Sequence, residues 1–411
     1  MPANVFEKSH NNANNQLHAK FASESVALYL SHTVRTFAQA LIGVFLPLYI
    51  FKLSGKPILY MNEFTNDLAW VLLFFIIRSI ALLIFITPVT NLIFGKLNFK
   101  KSIFISNIAV SLSLVFILFA DRYFWLIPLT AIAASFDIIL YWIPFHLFFI
   151  RKSQSSDGHF GKQFGIRLFL TKLASSFGPI IGGLLIIALG FNYLFTLSII
   201  LMIISIFPLI FSVEERSHGK HNAYLIFKRY ISEKNLIGTS TAFAVIAFED
   251  VVYSILWPLL LLTLTGSFAK LGIITTVSIS ISAIFAVYIG KIIDKNGPKL
   301  IHKIGVIFNS LLHFSRIFAN QTLFAILVDI SDKLNGSLYS VPFNSITYDV
   351  AKKEHYDSDF IIYREIIMHI GIACGLFILL IILPMIPDYK KLFVVIGIIT
   401  PLTYLINVKK K

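Results

Sequence analysis

Several charged side chains of this sequence lie inside long apolar stretches. The acidic ones are Asp137, Glu249, Asp250, Asp329 and Asp332, and the basic ones are Arg35, Arg78, Lys172 and Lys333. A charge at the centre of a bilayer costs roughly 2.5–3.5 kcal/mol on insertion scales, so each must have a compensating role. Such residues are typical of ion pathways, substrate sites and fixed ion pairs, and they are the first candidates for chemistry.

The segment AFEDVVYS, residues 247–254, carries two adjacent carboxylates, Glu249 and Asp250. Neighbouring side chains on a helix point about 100° apart, so we expect only one of the two to face a cavity squarely. Burial and a like-charged neighbour are the conditions under which a carboxyl exchanges a proton near neutral pH. The pair therefore predicts a proton carrier. Two alternatives stay open: a fixed network with Arg35 or Arg78, and direct recognition of a cationic substrate.

The other charges suggest either substrate contacts or local ion pairs. Arg35 is predicted to clamp a carboxylate or phosphate of the substrate, or to balance Asp137. Asp329, Asp332 and Lys333 share one side of a helix because they are spaced i, i+3 and i+4, which favours a local ion pair.

Two further basic residues are predicted to be membrane-interface anchors. Lys172 lies near the start of an apolar stretch, where its long side chain can extend to the cytoplasmic interface. Arg316 lies near the outer end of another stretch.

The composition identifies the environment of these charges. Of 411 residues, 57% are hydrophobic and only 14% are charged, whereas soluble domains carry about 25% charged residues. The fold class expected is an all-α polytopic membrane protein. The net charge of +14 follows the positive-inside pattern, which places both termini in the cytoplasm and makes nucleic-acid binding the weaker interpretation.

The apolar stretches predict twelve transmembrane spans. They lie at 24–51, 67–94, 102–120, 123–150, 166–188, 191–213, 237–263, 269–290, 299–318, 321–349, 360–385 and 391–408. We therefore divide the chain into an N-terminal tail (1–23), a six-helix bundle (24–213), a cytoplasmic loop (214–236), a second bundle (237–408) and a C-terminal tail (409–411). Matching motifs in the two halves, such as PLYIFKLSG and PLLLLTLTG, indicate a pseudo-symmetric duplication, as in many transporters.

The stretch GKIIDKNGPK, residues 290–299, follows the eighth predicted span. It resembles the loop signature of the major facilitator superfamily, and FGPIIGG in the fifth span is similar to the GPxxGG element of its antiporter branches. The signature residues are Gly290, Asp294, Lys295, Gly297 and Lys299, and those of the fifth span are Gly178, Pro179, Gly182 and Gly183.

This resemblance implies two bundles that rock about a central site, with spans 1, 4, 7 and 10 lining the cavity and spans 3, 6 and 12 facing lipid. It also implies a cytoplasmic latch in which Asp294 pairs with Arg167, and a second gate at Arg364 and Glu365 at the cytoplasmic edge. The corresponding loop after the second span, GKLNFKK, lacks the Asp, so its role in gating is left open.

The function expected is secondary active transport of a small molecule across the plasma membrane, coupled to protons. The motif of the fifth span slightly favours antiport and export. The protein is expected to be a monomer without cofactor or bound metal. The alternatives are an uncoupled facilitator, a membrane-embedded enzyme, a lipid flippase or scramblase, and a receptor or assembly factor. An ATPase is excluded because no nucleotide-binding motif occurs.

Overall fold

Apolar runs separated by capped turns make this chain a succession of helices. A computed structural model describes residues 27, 30–53, 62–147, 172–211, 221–353, 357–386 and 388–407. In chain order the helices are α1 (Leu30–Leu53), α2 (Glu63–Gly95), α3 (Phe99–Leu118), α4 (Leu126–Leu147), α5 (Lys172–Ala188), α6 (Phe191–Ile210), α7 (Ile237–Thr265), α8 (Phe268–Asn296), α9 (Pro298–Arg316), α10 (Thr322–Lys353), α11 (Asp357–Ile382) and α12 (Tyr389–Ile406).

Nine helices in the described part of the chain are long and apolar enough to cross a membrane. They are α1, α2, α3, α4, α6, α7, α8, α11 and α12. The described part of α5 is shorter, and α9 and α10 carry charged residues along their length. An all-helical protein with many spans is therefore confirmed, whereas the number twelve remains a prediction.

Side-chain caps set several helix ends. Asn62 accepts a hydrogen bond from the Thr65 amide at 2.8 Å, and Asn98 accepts one from the Lys101 amide at 2.7 Å. Both satisfy amide groups that have no partner within the helix, as capping residues do. Within the predicted cytoplasmic loop 214–236, a short helix spans Ala223–Ile231 and begins at the cap Asn222.

The expectation that the eighth span ends at residue 290 is wrong. Helix α8 continues to Asn296, and only Gly297, at φ +78°, separates it from Pro298 at the start of α9. The extension is amphipathic: Ile293 is buried, whereas Asp294 and Lys295 are exposed. Burial of its apolar side sustains the helix beyond the last apolar run, so most of GKIIDKNGPK is helical.

Helices of the two predicted halves approach each other closely at α5 and α8. A Cβ added at Gly183 would meet the Phe268 backbone, and one added at Gly272 would meet that of Pro179. The missing side chains allow this approach, as small residues do between membrane helices. Pro179 and Gly183 of the α5 motif therefore pack against the other half, whereas Gly178 and Gly182 pack against α1 of the same half.

Helix α4 contains an irregular turn beside a charged residue. Ile138–Trp142 forms a π-helical turn immediately after Asp137. Such turns insert one extra residue into a helix and occur often at functional sites. This turn lies at the cavity described next.

Candidate functional site

A cavity of about 670 Å³ lies between the predicted halves. Helices α1, α2, α3 and α4 line it from the first half, and α7 and α11 from the second. Its charged lining residues are Arg78, Asp137, Asp250, Arg364 and Glu365. Ligand sites in proteins are typically cavities of this size with a few polar groups in an apolar wall. We call this space the main cavity.

Asp250 and Glu249, the adjacent acids of α7, lie in different surroundings. Asp250 lines the main cavity and is exposed to it, and it has no hydrogen bond or ion pair among the described residues. Glu249 is only 2% exposed and faces the interior of the second half. The two carboxyls therefore differ in burial and in their partners.

Glu249 is held by donors from three helices. Asn309 and His313 of α9 donate to Oε1, the latter from Nε2 at 2.9 Å. Tyr339 of α10 donates to Oε2 at 3.2 Å, and the Thr400 hydroxyl of α12 lies 3.1 Å from the same oxygen. Both oxygens thus serve as acceptors, which is the role of a carboxylate.

The tautomer of His313 follows from its second partner. Arg316 contacts His313 Nδ1 and also pairs with Asp332 on α10. A guanidinium can only donate, so Nδ1 accepts and the ring hydrogen is on Nε2, facing Glu249. Arg316 is fully buried, so the expectation that it anchors the outer interface is wrong. The carboxylate of Asp332 compensates the charge in the interior instead.

A second, smaller cavity of about 240 Å³ adjoins the main cavity, and Gly43 of α1 and Ser254 of α7 line both. The smaller cavity also contains Asp329 and Lys333 of α10. Trp257 donates to Asp329 Oδ1 at 2.7 Å. Lys333 Nζ lies 4.0 Å from the same oxygen.

Lys333 has two nearer contacts. Its ammonium donates to the Tyr253 hydroxyl at 2.6 Å and lies 3.4 Å from Asp332 Oδ2. The predicted cluster of Asp329, Asp332 and Lys333 is therefore present, and Asp332 also pairs with Arg316 of α9. Sequence reasoning missed this contact because it assigned Arg316 to the membrane interface.

Arg35 forms the corresponding buried pair in the first half. It is fully buried, and its guanidinium donates to Asp137 on α4 and to Asn107 on α3. Asp137 also accepts from Ser106 at 2.8 Å and from Gln39 at 3.2 Å. Of the two roles considered for Arg35, the structure shows the balancing of Asp137, and Arg35 does not line the main cavity.

Arg78 of α2 differs from Arg35. It lines the main cavity, and its guanidinium carbon lies 4.9 Å from the centre of the Phe75 ring. No hydrogen-bond acceptor reaches it from the part of the chain that the structure describes, and its Nε is buried without a partner.

A bridge of hydrogen bonds joins the two halves along one wall of the main cavity. His146 of α4 lies 3.0 Å from Arg364 of α11 through Nε2 and 2.5 Å from the Tyr348 hydroxyl of α10 through Nδ1. Arg364 forms an ion pair with Glu365 at 2.9 Å. A second bond, His369 Nδ1 to Ser79 Oγ at 3.0 Å, joins α11 to α2.

Arg364 and Glu365 were expected at the cytoplasmic edge, but both are buried and line the main cavity. The reason is that α11 begins at Asp357. Arg364 therefore lies seven residues, or about 10 Å, along the helix. A gate formed by these residues would act at the cavity wall.

Comparison with known proteins identifies the family. The family model described as "Major Facilitator Superfamily" matches residues 28–376. The chain belongs to the major facilitator superfamily. It is therefore a secondary transporter in a membrane and not an enzyme. No curated protein matches the chain.

Solved transporter structures share the superfamily fold with this chain. The human organic anion transporter MFSD10 (TETRAN) superposes with a TM-score of 0.67 at 10% identity, covering 94% of this chain and 99% of that one. A D-xylose-proton symporter superposes with a TM-score of 0.67 at 13% identity, covering 94% and 96%. At these identities the likeness concerns the fold alone.

The signature residues of the superfamily lie at one end of α8. Gly290 is buried, Asp294, Lys295 and Lys299 are exposed, and Gly297 forms the turn to α9. Arg167, the expected partner of Asp294, lies outside the described residues. The latch therefore stays a prediction.

Lys172 does not extend to the membrane interface as expected. It donates to Ser282 of α8 at 2.8 Å and to Ser337 of α10 at 3.1 Å. Hydroxyl partners across the interface between α5, α8 and α10 satisfy the ammonium inside the protein. Among the described residues no group of three or more His, Cys, Asp and Glu side chains could hold a metal ion.

Sequence reasoning missed His146 and Asn107. A polar ring beside Pro144 in an apolar span is the one signal in the sequence that pointed to His146. Asn107 lies on the third span, which the superfamily resemblance assigned to the lipid side. In the structure α3 contributes Val110, Ser113 and Leu114 to the main cavity.

Proposed function

We propose that this protein is a proton-coupled secondary transporter of a small molecule that works by alternating access about the main cavity. The observation that carries the proposal is the position of Asp250, a carboxyl exposed to a cavity that both halves line. Rocking of the halves would expose this carboxyl and a bound substrate first to one side and then to the other. The xylose-proton symporter, which shares the fold, is named for proton coupling.

The division between the two acids of α7 supports this assignment. Glu249 accepts hydrogen bonds from Asn309, His313 and Tyr339, and a hydrogen placed on its carboxylate would break at least one of them. Asp250 has no such partners in the described chain. We therefore assign proton exchange to Asp250 and a structural role to Glu249.

The remaining parts of the proposal come from sequence. We infer a monomer in the plasma membrane. We infer that both termini are in the cytoplasm, because Lys and Arg concentrate in the loops on one side. The glycine motif of α5 favours antiport and export by its resemblance to antiporters.

The test is flux in proteoliposomes that contain a pH-sensitive dye. Gradients of sugars, amino acids, organic anions and organic cations are applied one at a time, and the internal pH is recorded. A substrate gradient should drive proton movement through the wild-type protein and not through Asp250→Asn. The sign of the pH change distinguishes antiport from co-transport.

Labelled substrate provides the control for this test. If substrate crosses the membrane at a rate that neither ΔpH nor Asp250→Asn alters, the protein is an uncoupled facilitator and the proton assignment is wrong. If the variant loses proton movement but still exchanges labelled substrate across the membrane, coupling through Asp250 is supported.

A further inference from the structure

Arg78 is a cation in a largely apolar cavity without a counter-ion in contact. Its neighbours in the cavity wall include Phe74, Phe75 and Val110. The nearest acid of the first half, Asp137, is engaged by Arg35 and by two neutral donors. Its guanidinium thus offers donors that no described residue accepts. A buried guanidinium is stable when an anion pairs with it.

We propose that Arg78 binds the anionic group of the transported substrate, and that this substrate is a small monovalent organic anion with an apolar body. The inference rests on the proposed function, because it assigns the substrate of the same cavity. Carboxylates and sulfonates match the guanidinium through paired, charge-assisted hydrogen bonds. The apolar walls from α1, α2 and α3 would contact the rest of the molecule.

The charge balance of the cavity supports an anion. Asp137 is paired with Arg35 and Glu365 with Arg364, which leaves Arg78 and Asp250 as the cavity charges without a contact partner in the described residues. With Asp250 ionised, these two charges sum to zero. An added anion would make the sum −1, unless Asp250 takes up a proton.

The anion and the proton therefore bind together. The empty cavity, with Arg78 and an ionised Asp250, and the loaded cavity, with the anion and a protonated Asp250, are both neutral overall. Charged groups inside a membrane cost least when their charges sum to zero. This balance favours co-transport of anion and proton over the antiport that the α5 motif suggests.

Other ionisable groups line the same cavity as Asp250 or lie near it. In the main cavity they are Arg78, Asp137, His146, Arg364 and Glu365. From the second half they are Glu249, Asp332 and Lys333, with Tyr253 on the next turn of α7. Lys172 on α5 lies near Asp332 and Lys333. Asp137 and Glu365, the other acids that line the main cavity, are in ion pairs, so the uptake of one proton is assigned to Asp250.

The test is calorimetric titration of the full-length protein in nanodiscs. The probes are benzoate, 2-naphthoate and naphthalene-2-sulfonate, with 2-naphthamide as the neutral analogue and 2-naphthylmethylammonium as the cationic one. We expect the anions to bind and the amide and the ammonium to bind at least tenfold more weakly. Arg78→Gln should weaken anion binding about tenfold or more. Arg122→Gln, at an exposed position outside both cavities, should leave it unchanged.

Proton uptake is measured by repeating the titration in buffers with different ionisation enthalpies between pH 6 and pH 9. Where Asp250 is ionised, binding should take up one proton, and affinity should fall about tenfold per pH unit. In Asp250→Asn the anion should still bind, because the amide resembles the protonated carboxyl, and its affinity should not depend on pH.

Several results would overturn the inference. They are failure of all three anions to bind, equal binding of the amide, unchanged anion affinity in Arg78→Gln, or pH-independent affinity in the wild type. Failure of the proposed function is a separate result. If another class of compound drives proton flux through Asp250 in the vesicle assay, the transporter assignment stands and the anion assignment is wrong. If anions bind together with a proton but no flux occurs in the vesicle assay, the anion assignment stands and the transporter assignment is wrong.

Discussion

Glu249 and Asp250 are neighbours in the chain, but one contacts three helices of the second half and the other contacts the space between the halves. Glu249 Oε1 lies 2.9 Å from His313 Nε2, whereas Asp250 is exposed to the main cavity. The angle of about 100° between successive side chains on a helix is sufficient for this division. A doublet of acids thus combines a carboxyl that is bonded inside the second half with one that lines the main cavity.

We predict that Glu249→Gln destabilises the protein more than Asp250→Asn does. The amide oxygen could still accept from Asn309 and His313, and the NH2 group would face the hydroxyls of Tyr339 and Thr400, but none of these bonds would be charge-assisted. Hydrogen bonds to a charged group contribute about 1.5–3 kcal/mol, and those between neutral groups about 0.5–1.5 kcal/mol. Thermal unfolding in detergent should show a clearly lower midpoint for Glu249→Gln and little change for Asp250→Asn. Equal midpoints would contradict the structural role of Glu249.

Arg35→Gln should be strongly destabilising because it leaves Asp137 buried without its cation. Removal of one member of a buried ion pair costs about 3–5 kcal/mol. The double variant Arg35→Gln/Asp137→Asn should recover part of this loss, since the remaining Ser106 and Gln39 can bond to an amide. Equilibrium unfolding of the wild type, Arg35→Gln, Asp137→Asn and the double variant gives the coupling energy of the pair. A coupling energy near zero would show that the pair does not stabilise the fold.

Tyr348→Phe should weaken the contact between the halves. The substitution removes the hydroxyl that lies 2.5 Å from His146 without changing the ring. Loss of one hydrogen bond of about 1 kcal/mol changes a two-state population about fivefold. The measurement is the distance between spin labels at Lys101 and Lys303, both exposed, with Cys374 replaced by Ser. In Tyr348→Phe, the fraction of molecules with the longer distance between the two labels should increase.

Tyr288→Phe is the matched control for this experiment. Tyr288 is exposed on α8, so its hydroxyl should not affect the distance distribution. If Tyr288→Phe and Tyr348→Phe give the same distribution as the wild type, His146 and Tyr348 do not hold the halves together.

Gly183→Ala should disturb the contact between α5 and α8. The added Cβ would meet the Phe268 backbone, which cannot rotate away as a side chain can. Overpacking of this kind costs about 1–3 kcal/mol. Gly95→Ala is the control, because nothing lies within 4 Å of a Cβ there. The melting temperature and the rate of transport should both decrease in Gly183→Ala and stay unchanged in Gly95→Ala. A normal rate of transport in Gly183→Ala would mean that α5 and α8 can move apart without loss of activity.

The latch between Asp294 and Arg167 is tested by charge exchange. Asp294→Arg and Arg167→Asp should each reduce transport in the vesicle assay, and the double variant should restore it. The reason is that an ion pair keeps its attraction when both signs are reversed. Additive loss in the double variant would show that the two residues do not pair.

The membrane class and the superfamily followed from the sequence, because apolar length and loop charge are local properties of the chain. The pairing of Arg35 with Asp137 was one of two interpretations from sequence. Partners of Arg316 and Glu249 were not predicted, because they come from helices that are distant in sequence and brought together by packing. The position of Arg364 was predicted wrongly because the apolar run begins at residue 360, whereas α11 already begins at Asp357. Arg364 therefore lies further from the helix end than the apolar run indicates.

The π-helical turn Ile138–Trp142 determines how α4 responds to the loss of a residue. The turn holds one extra residue locally, so the parts of α4 before and after it keep nearly the register of one continuous α-helix. If one residue of this turn were deleted, a regular α-helix would re-form, and both the pair of Arg35 and Asp137 and the contacts of His146 would be kept. A deletion in a regular part of α4 would instead rotate everything beyond it by about 100°. The turn is therefore the place in α4 where the gene can lose one codon with least effect on the cavity wall.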